Sequence, residues 1–534
     1  MVSDIYIVTT EWKVSLQHKK AVESPSRYGF WTYISYILVF YAVSSGELDQ
    51  ERSKMHFVKY RVAKKRYLSI MAVHRRFFLL EELIMLIRFE VENWLSYADP
   101  VTFSMVASKQ TTFSHRIAKV GKYNLRALPV STIYGGNASG KSNLVKALGF
   151  LQRLVRAPKR EGAKTGVTPF ALDNTNRQMP TRFMLEILAP HPDPRIKERA
   201  YAFSLSLNAD QILEEELLEI TSVGENLLYR RANGKIDFGD HYKQADRLRM
   251  EYAYEGTDAN QLYLSNATGQ KLNHFRPIFD WFDKLLTIIT PEHRLSPALL
   301  AETVEQVGQM GEVMDSLDTG IDGLTLKPVP VPENLPEELV EALQEDKAIL
   351  DLSTPSQGRI HVRFQDGKLQ AEKLMCEHRG ESGEVFTIDF EKESDGSQRL
   401  FDLIPAFRDL TAPNARKVFV IDELDRSLHS QLTQQLLLFY LTDYQSKSRS
   451  QLIFTTHDLM LMDQALFRRD EIWLTERDHK GRSSIYPVSD FKEARQDRHL
   501  RRHYLQRRMG GTPKLANKLL QLTREKKNGT PEEA

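Results

Sequence analysis

The sequence predicts an α/β fold: a buried parallel sheet, an N-terminal β-hairpin subdomain beside it, and a long inserted α+β lobe. Three observations predict it. The apolar run Leu128, Val130, Thr132, Ile133 and Tyr134 leads into Gly135-Gly136-Asn137-Ala138-Ser139-Gly140-Lys141-Ser142, and Leu144, Leu148, Leu151 and Val155 follow at helical spacing. That is strand, loop and helix in succession. Two further apolar runs, 417–421 and 451–456, end in Asp422-Glu423 and His457-Asp458, as strands buried on both faces do when they carry polar groups to a sheet edge. Residues 187–390 lie between the two halves, far more chain than one ordinary α/β core requires.

The spacing G-x-x-x-x-G-K-S gives the loop its chemistry. Glycines let backbone amides turn inward around the phosphates of a nucleotide, Lys141 adds a point charge, and the Ser142 hydroxyl can hold Mg²⁺. Gly135, Asn137, Ser139, Gly140, Lys141, Ser142 and Asn143 are therefore the expected ATP contacts of a P-loop NTPase. Composition bounds the rest. A chain of 534 residues exceeds one ordinary core. A formal net charge of +2 supplies no global field for nucleic acid, so any basic surface must be local. The single cysteine, Cys376, excludes an internal disulfide and a cysteine-based zinc site, and suits a reducing cytoplasm. It is expected as a small buried residue in a strand.

Taken in order, residues 1–84 read as an N-terminal extension outside the functional protein. The run 28–43 is apolar but shorter than a membrane span and interrupted by Thr32 and Ser35, and a basic stretch, 54–76, follows it. A membrane anchor is the lesser expectation, and the working start is expected at Met85. From there Ile87, Phe89 and Val91 alternate, and a second alternating stretch follows a polar turn at 98–100, giving a β-hairpin that opens the first half of the head, 85–186. Within the lobe 187–390, strands are expected at 201–207, 212–220 and 226–231. One aromatic helix is expected over 272–289, with Phe275, Ile278, Phe279, Phe282 and Leu286 on its core face. A proline-rich connection over 327–345 and a hairpin turning at Asp366-Gly367 complete it. No heptad run long enough for a coiled-coil arm is present. The second half of the head, 391–513, gives way to a polar tail, 514–534, whose residues 525–534 read as disordered.

The second half carries the remaining candidates. Glu393-Ser394-Asp395-Gly396-Ser397-Gln398-Arg399 precedes a helical pattern, so a Ser/Gly turn stands at a helix N-terminus, which favours anions. Asp422 is placed for the Mg²⁺ shell and Glu423 to polarise an attacking water. His457 can accept a hydrogen bond from that water or donate one to a phosphate.

The succession ESDGSQR, VFVIDELDRSLH, LIFTTHD, RRDEIW and YLQRR, with the turn Asn93-Trp94-Leu95-Ser96-Tyr97 ahead of it, resembles ABC/SMC-type heads of the SMC, Rad50, RecF and OLD kind. It is most similar to the ABC-like AAA-type ATPases of bacterial abortive-infection and phage-defence systems, over residues 85 to about 513. The resemblance implies an ATPase that dimerises head to head around ATP, with Ser394 and Gly396 touching the γ-phosphate held by the opposite subunit. It also implies Asp425 and Ser427 at the dimer face, Asn93 and Ser96 near the nucleotide, and Gln178 near Mg²⁺. Leu95 stands where the family has a basic residue, no acidic Toprim constellation follows His457, and Arg507-Arg508-Met509 replaces the family's usual ending. The effector, a nuclease or toxin, is therefore expected on a separate protein. The contrasting class is a DNA-binding repair or recombination head. Its candidate surface is the arginine-rich stretch 495–508, where Tyr504 could stack on a base.

Overall fold

The loop strand Val130–Gly135 lies inside a six-stranded sheet whose order is Leu286–Ile289, Val418–Ile421, Gln451–Thr455, Val130–Gly135, Ile472–Arg477 and Ser483–Pro487. The first five run parallel and the last antiparallel. The computed structural model describes residues 84–512, apart from 293–303, 492–499 and breaks of one to three residues. The apolar run 28–43, the basic stretch behind it and the tail 525–534 lie outside the described residues. No described helix is long and apolar enough to cross a membrane.

Parallel strands must be covered on both faces, and alternation in the sequence provides this. Val418, Val420, Ile453 and Ile133 point into one core, and Phe419, Ile421, Leu452 and Phe454 into the other. The first core is completed by helix Lys141–Arg156, which buries Leu144, Leu148, Leu151 and Val155 as their spacing predicts. The second lies under helices Asp395–Thr411 and Ser430–Thr442.

Beyond helix Lys141–Arg156 lies a seven-stranded antiparallel sheet. It runs Lys235–Phe238, Glu225–Ala232, Ile212–Ile220, Arg199–Leu207, Thr181–Ala189, Met85–Glu92 and Val101–Ser104. The expected hairpin is its last pair, with Phe89 opposite Phe103. Phe89, Val91, Phe183, Leu185, Phe203 and Leu205 share the first core with the helix.

The stretch 187–390 is distributed over three sheets. Its first strands extend the antiparallel sheet, Leu286–Ile289 joins the parallel sheet, and the remainder forms a five-stranded sheet centred on Lys368–Arg379. That long strand pairs with Gly323–Val329 on one edge, and on the other with Gly358–Gln365 and then Val385–Asp389. Cys376 is buried within it.

The single aromatic helix expected over 272–289 is corrected. The chain makes a 3₁₀ turn at Asn273–Phe275, a short helix at Arg276–Asp280, a π-helical turn at Trp281–Leu285 and then strand Leu286–Ile289. Thr287, Ile288 and Ile289 are β-branched, and pairing beside Val418–Ile421 outweighs continuation of the helix. The aromatic stripe is core, as expected: Phe275, Ile278 and Phe282 are fully buried.

Candidate nucleotide site

The loop after Val130–Gly135 takes its shape from two residues in the left-handed region, Ala138 (φ 60°) and Gly140 (φ 114°). Such alternation turns successive amides toward a common centre. Gly135 has no room for a side chain: a Cβ there would lie 2.7 Å from the Thr475 carbonyl oxygen on the neighbouring strand. Lys141 Nζ donates to the carbonyls of Gly135 (3.0 Å) and Gly136 (3.2 Å), folding back over its own loop. Burial pulls this ammonium down to about 8, against the opposing pull of Asp422, Glu423 and Asp425. A buried cation satisfied only by two carbonyls is a ready counter-charge for phosphate.

Asp422 ends strand Val418–Ile421 and is buried. Its Oδ1 accepts from Ser142 Oγ (3.1 Å) and from Thr455 Oγ1 (2.6 Å). The same Thr455 hydroxyl accepts from the Glu423 amide (2.8 Å). One threonine on the intervening strand thereby sets both acids. Glu423 sits at φ 51°, a strained place for a non-glycine residue and of the kind found at functional turns. Ser142 and Asp422 form an all-oxygen pair suited to Mg²⁺.

The strand ending in Thr455 lies between those of the loop and of the acids, so exposed His457 emerges between the two. Its amide donates to Asp425 (3.3 Å). Partial burial, and then the Lys141 charge, lower its pKa, which keeps the imidazole neutral. Ser394 caps helix Asp395–Thr411 by accepting from the Ser397 amide (3.1 Å). Gly396 packs on the turn after the acids: a Cβ there would lie 2.8 Å from the Ser427 carbonyl oxygen. Arg399, on the same helix, donates to the carbonyls of Thr290 (3.2 Å), Asp422 (3.2 Å) and Glu423 (3.3 Å). Ser394 and Gly396 share no described hydrogen bond with the loop and connect to the acids through the arginine and the Ser427 turn.

Several candidates have other work. The Ser139 hydroxyl bonds Thr475 Oγ1 (2.6 Å), and Asn143 Nδ2 donates to Ser96 Oγ (2.8 Å), so both side chains brace the loop. Ser96 also takes the Ser483 hydroxyl (2.7 Å). Asn93 is buried, donating to the carbonyls of Asn176, Met179 and Pro180, which removes it from the expected nucleotide contacts. Asn137 is exposed on the loop, and Gln178 ends the exposed helix Asn174–Gln178. Tyr504 is buried with its hydroxyl donating to the Gly511 carbonyl (2.7 Å), so the expected base-stacking tyrosine is corrected to a structural one. Residues 495–499 of the basic stretch lie outside the described residues.

Sequence reasoning missed the hub roles of Thr455 and Arg399. Both stand inside motifs it singled out, but nothing in their spacing reports a bond to a distant strand.

Residues 130–463 match the family described as "AAA domain, putative AbiEii toxin, Type IV TA system". No curated protein matches the chain. Among solved structures it is similar to the SMC head domain from Thermotoga maritima, at 13% identity over 76% of this chain and 98% of that one, with a TM-score of 0.30. It is also similar to an SMC head bound to the C-winged helix domain of ScpA, at 14% identity over 76% and 98%, with a TM-score of 0.32. Because the family match takes in more than half of the chain, and the phosphate loop and both acids within it meet at the carboxyl ends of the parallel strands, the chain belongs to this AAA-domain family of P-loop ATPases.

Proposed function

We propose that the chain binds ATP with Mg²⁺ and hydrolyses it, that two chains close around the nucleotide, and that this closure controls a separate effector, a nuclease or toxin, in defence against phage. The observation that carries the reading is the Thr455 hydroxyl, which joins Asp422 to the Glu423 amide while Ser142 reaches the same carboxylate. The Ser142 hydroxyl, the Asp422 carboxylate and the Glu423 backbone are thereby held to one another, which supports the reading.

Lys141 would leave its two carbonyls for the phosphates, and the amides of 137, 138, 140 and 141 would complete their binding. Ser142 and Asp422 would hold Mg²⁺, which supplies charge neutralisation along the phosphate chain. Glu423 would take the proton of the attacking water, and neutral His457 would orient it. The Ser394–Gly396 turn, exposed at a helix N-terminus, would serve the nucleotide of a second chain. The toxin named in the family description supports a defence setting.

Glu423→Gln tests this. It should leave nucleotide binding intact, slow turnover by about 10²- to 10⁴-fold, and accumulate an ATP-bound dimer by light scattering. Monomer alone with ATP, in wild type and variant alike, would remove the two-chain site.

A further inference from the structure

The turn that follows the two acids sends neighbouring side chains to opposite sides. Asp425 accepts from the His457 amide (3.3 Å), toward the strand that separates the acids from the phosphate loop. Arg426 goes the other way. Its guanidinium pairs with Glu292 (3.6 Å), just beyond the edge strand Leu286–Ile289. Strands Val418–Ile421 and Gln451–Thr455 stand between that edge and the loop strand Val130–Gly135, so Arg426 points away from the nucleotide loop of its own chain.

It points instead toward the Ser394–Gly396 turn. A Cβ on Gly396 would lie 2.8 Å from the carbonyl oxygen of Ser427, the next residue after Arg426. Arg399, on the same helix as Gly396, donates to the carbonyl of Thr290 (3.2 Å), two residues before Glu292. The Glu423 carbonyl accepts both from Arg399 (3.3 Å) and from the Arg426 amide (3.1 Å). Glu423 (φ 51°) and Ser427 (φ 60°) frame the turn in the left-handed region, a strain that persists where surrounding structure fixes the backbone. Arg399 is buried and occupied by carbonyls. The Arg426 side chain is 48% exposed and its partner Glu292 79% exposed, a pair that water screens and holds weakly.

Charge says what such a guanidinium would meet. ATP brings about four negative charges, Mg²⁺ and Lys141 return about three, and the two acids add more. In phosphoryl transfer the charge on the γ-phosphoryl oxygens must be stabilised, and an arginine from a second subunit can do this.

We propose that Arg426 is a catalytic residue supplied to the other chain: when two chains close, its guanidinium leaves Glu292 and binds the γ-phosphoryl oxygens of the ATP held by that chain's Lys141 loop. The inference rests on the reading of Ser394 and Gly396 as contacts to a second chain's nucleotide. Water adds to the γ-phosphorus as the bond to the ADP oxygen breaks, and ADP leaves with that electron pair. Glu423 takes the proton of the water, inorganic phosphate is the second product, and Arg426 neutralises charge without passing a proton. Each site thus draws its loop and base from one chain and its arginine from the other.

The test uses full-length protein. Arg426→Ala should lower kcat by about 10³-fold, the low end of what an arginine finger contributes, with the affinity of the monomer for a fluorescent ATP analogue unchanged. The deciding experiment mixes Arg426→Ala with Glu423→Gln before ATP is added. Each protein alone forms only defective sites. A mixed dimer holds one complete site, so turnover should rise to about one quarter of wild type at equal mixing and random pairing. Glu292→Ala separates contact from support: it frees the guanidinium and should keep or raise kcat.

Dimers that form by light scattering but show no rise on mixing would overturn the proposal, since the arginine would then act within its own chain. A Glu292→Ala protein as slow as Arg426→Ala would overturn it too, because the arginine would be working through its ion pair. Monomer alone with ATP, in wild type and Glu423→Gln alike, would remove the two-chain reading itself, and the proposal with it.

Discussion

Lys141 shows how one burial event sets a pH dependence. Its ammonium is lowered to about 8 because the loop desolvates it. Phosphate would restore the charged form, so nucleotide binding should take up a proton in the window between about 8 and the ordinary lysine value near 10.5. Below about 8 the group is already charged and no uptake is expected. Calorimetric titration at pH 9, in buffers of different ionisation enthalpy, should therefore report uptake of up to one proton. Lys141→Arg, which stays charged, should abolish it, and equal uptake in both proteins would show that another group responds. Lys141 was legible in the sequence because glycine spacing and a following helix define its place. Thr455 was not legible as a hub, because T-T-H-D draws attention to the histidine and hydroxyl geometry depends on the order of strands.

Among the elements, helix Asp395–Thr411 shows why a cap and a contact differ. Ser394 satisfies the first turn, as the sequence suggests, but Gly396 is fixed by the Ser427 carbonyl on another segment. Gly396→Ala improves intrinsic helix propensity by roughly 1 kcal/mol while driving a Cβ to 2.8 Å from that oxygen. Turnover should fall because the Asp425–Ser427 turn must move, while nucleotide affinity at Lys141 is kept. Unaltered kcat would show that the turn yields without consequence. Period-2 alternation made the hairpin at 85–104 legible, and apolar runs gave the parallel strands. The segment 272–289 misled because aromatics at 275, 278 and 282 satisfy a helix while Thr287, Ile288 and Ile289 satisfy a strand, and only the free edge of Val418–Ile421 decides between them.

Across the whole molecule, the stretch 108–116 is held to the head by a buried charge pair. Arg468 is fully buried and donates to Asp470 (2.8 and 2.7 Å) and to the carbonyls of Gln110 (2.9 Å) and Thr112 (2.5 Å), while Asp470 accepts from the Ser108 amide (2.7 Å). Arg468→Ala leaves a carboxylate buried without its partner, and should destabilise the protein by about 3–5 kcal/mol in urea unfolding. A loss below about 1 kcal/mol would mean that water replaces the guanidinium. The sequence shows RRDEIW only as a charged run before a strand, since a solvated run and a buried pair have the same composition.

The Gly511 carbonyl accepts both the Tyr504 hydroxyl and the amide of Gly136 (3.0 Å). The first turn of the phosphate loop is thus finished by a residue made long after it. On the ribosome, at about 5–20 residues per second, tens of seconds separate the two. Until residue 511 is made, the Gly136 amide lacks this acceptor. A message cut short before residue 511 yields a protein whose nucleotide loop lacks its last fastening.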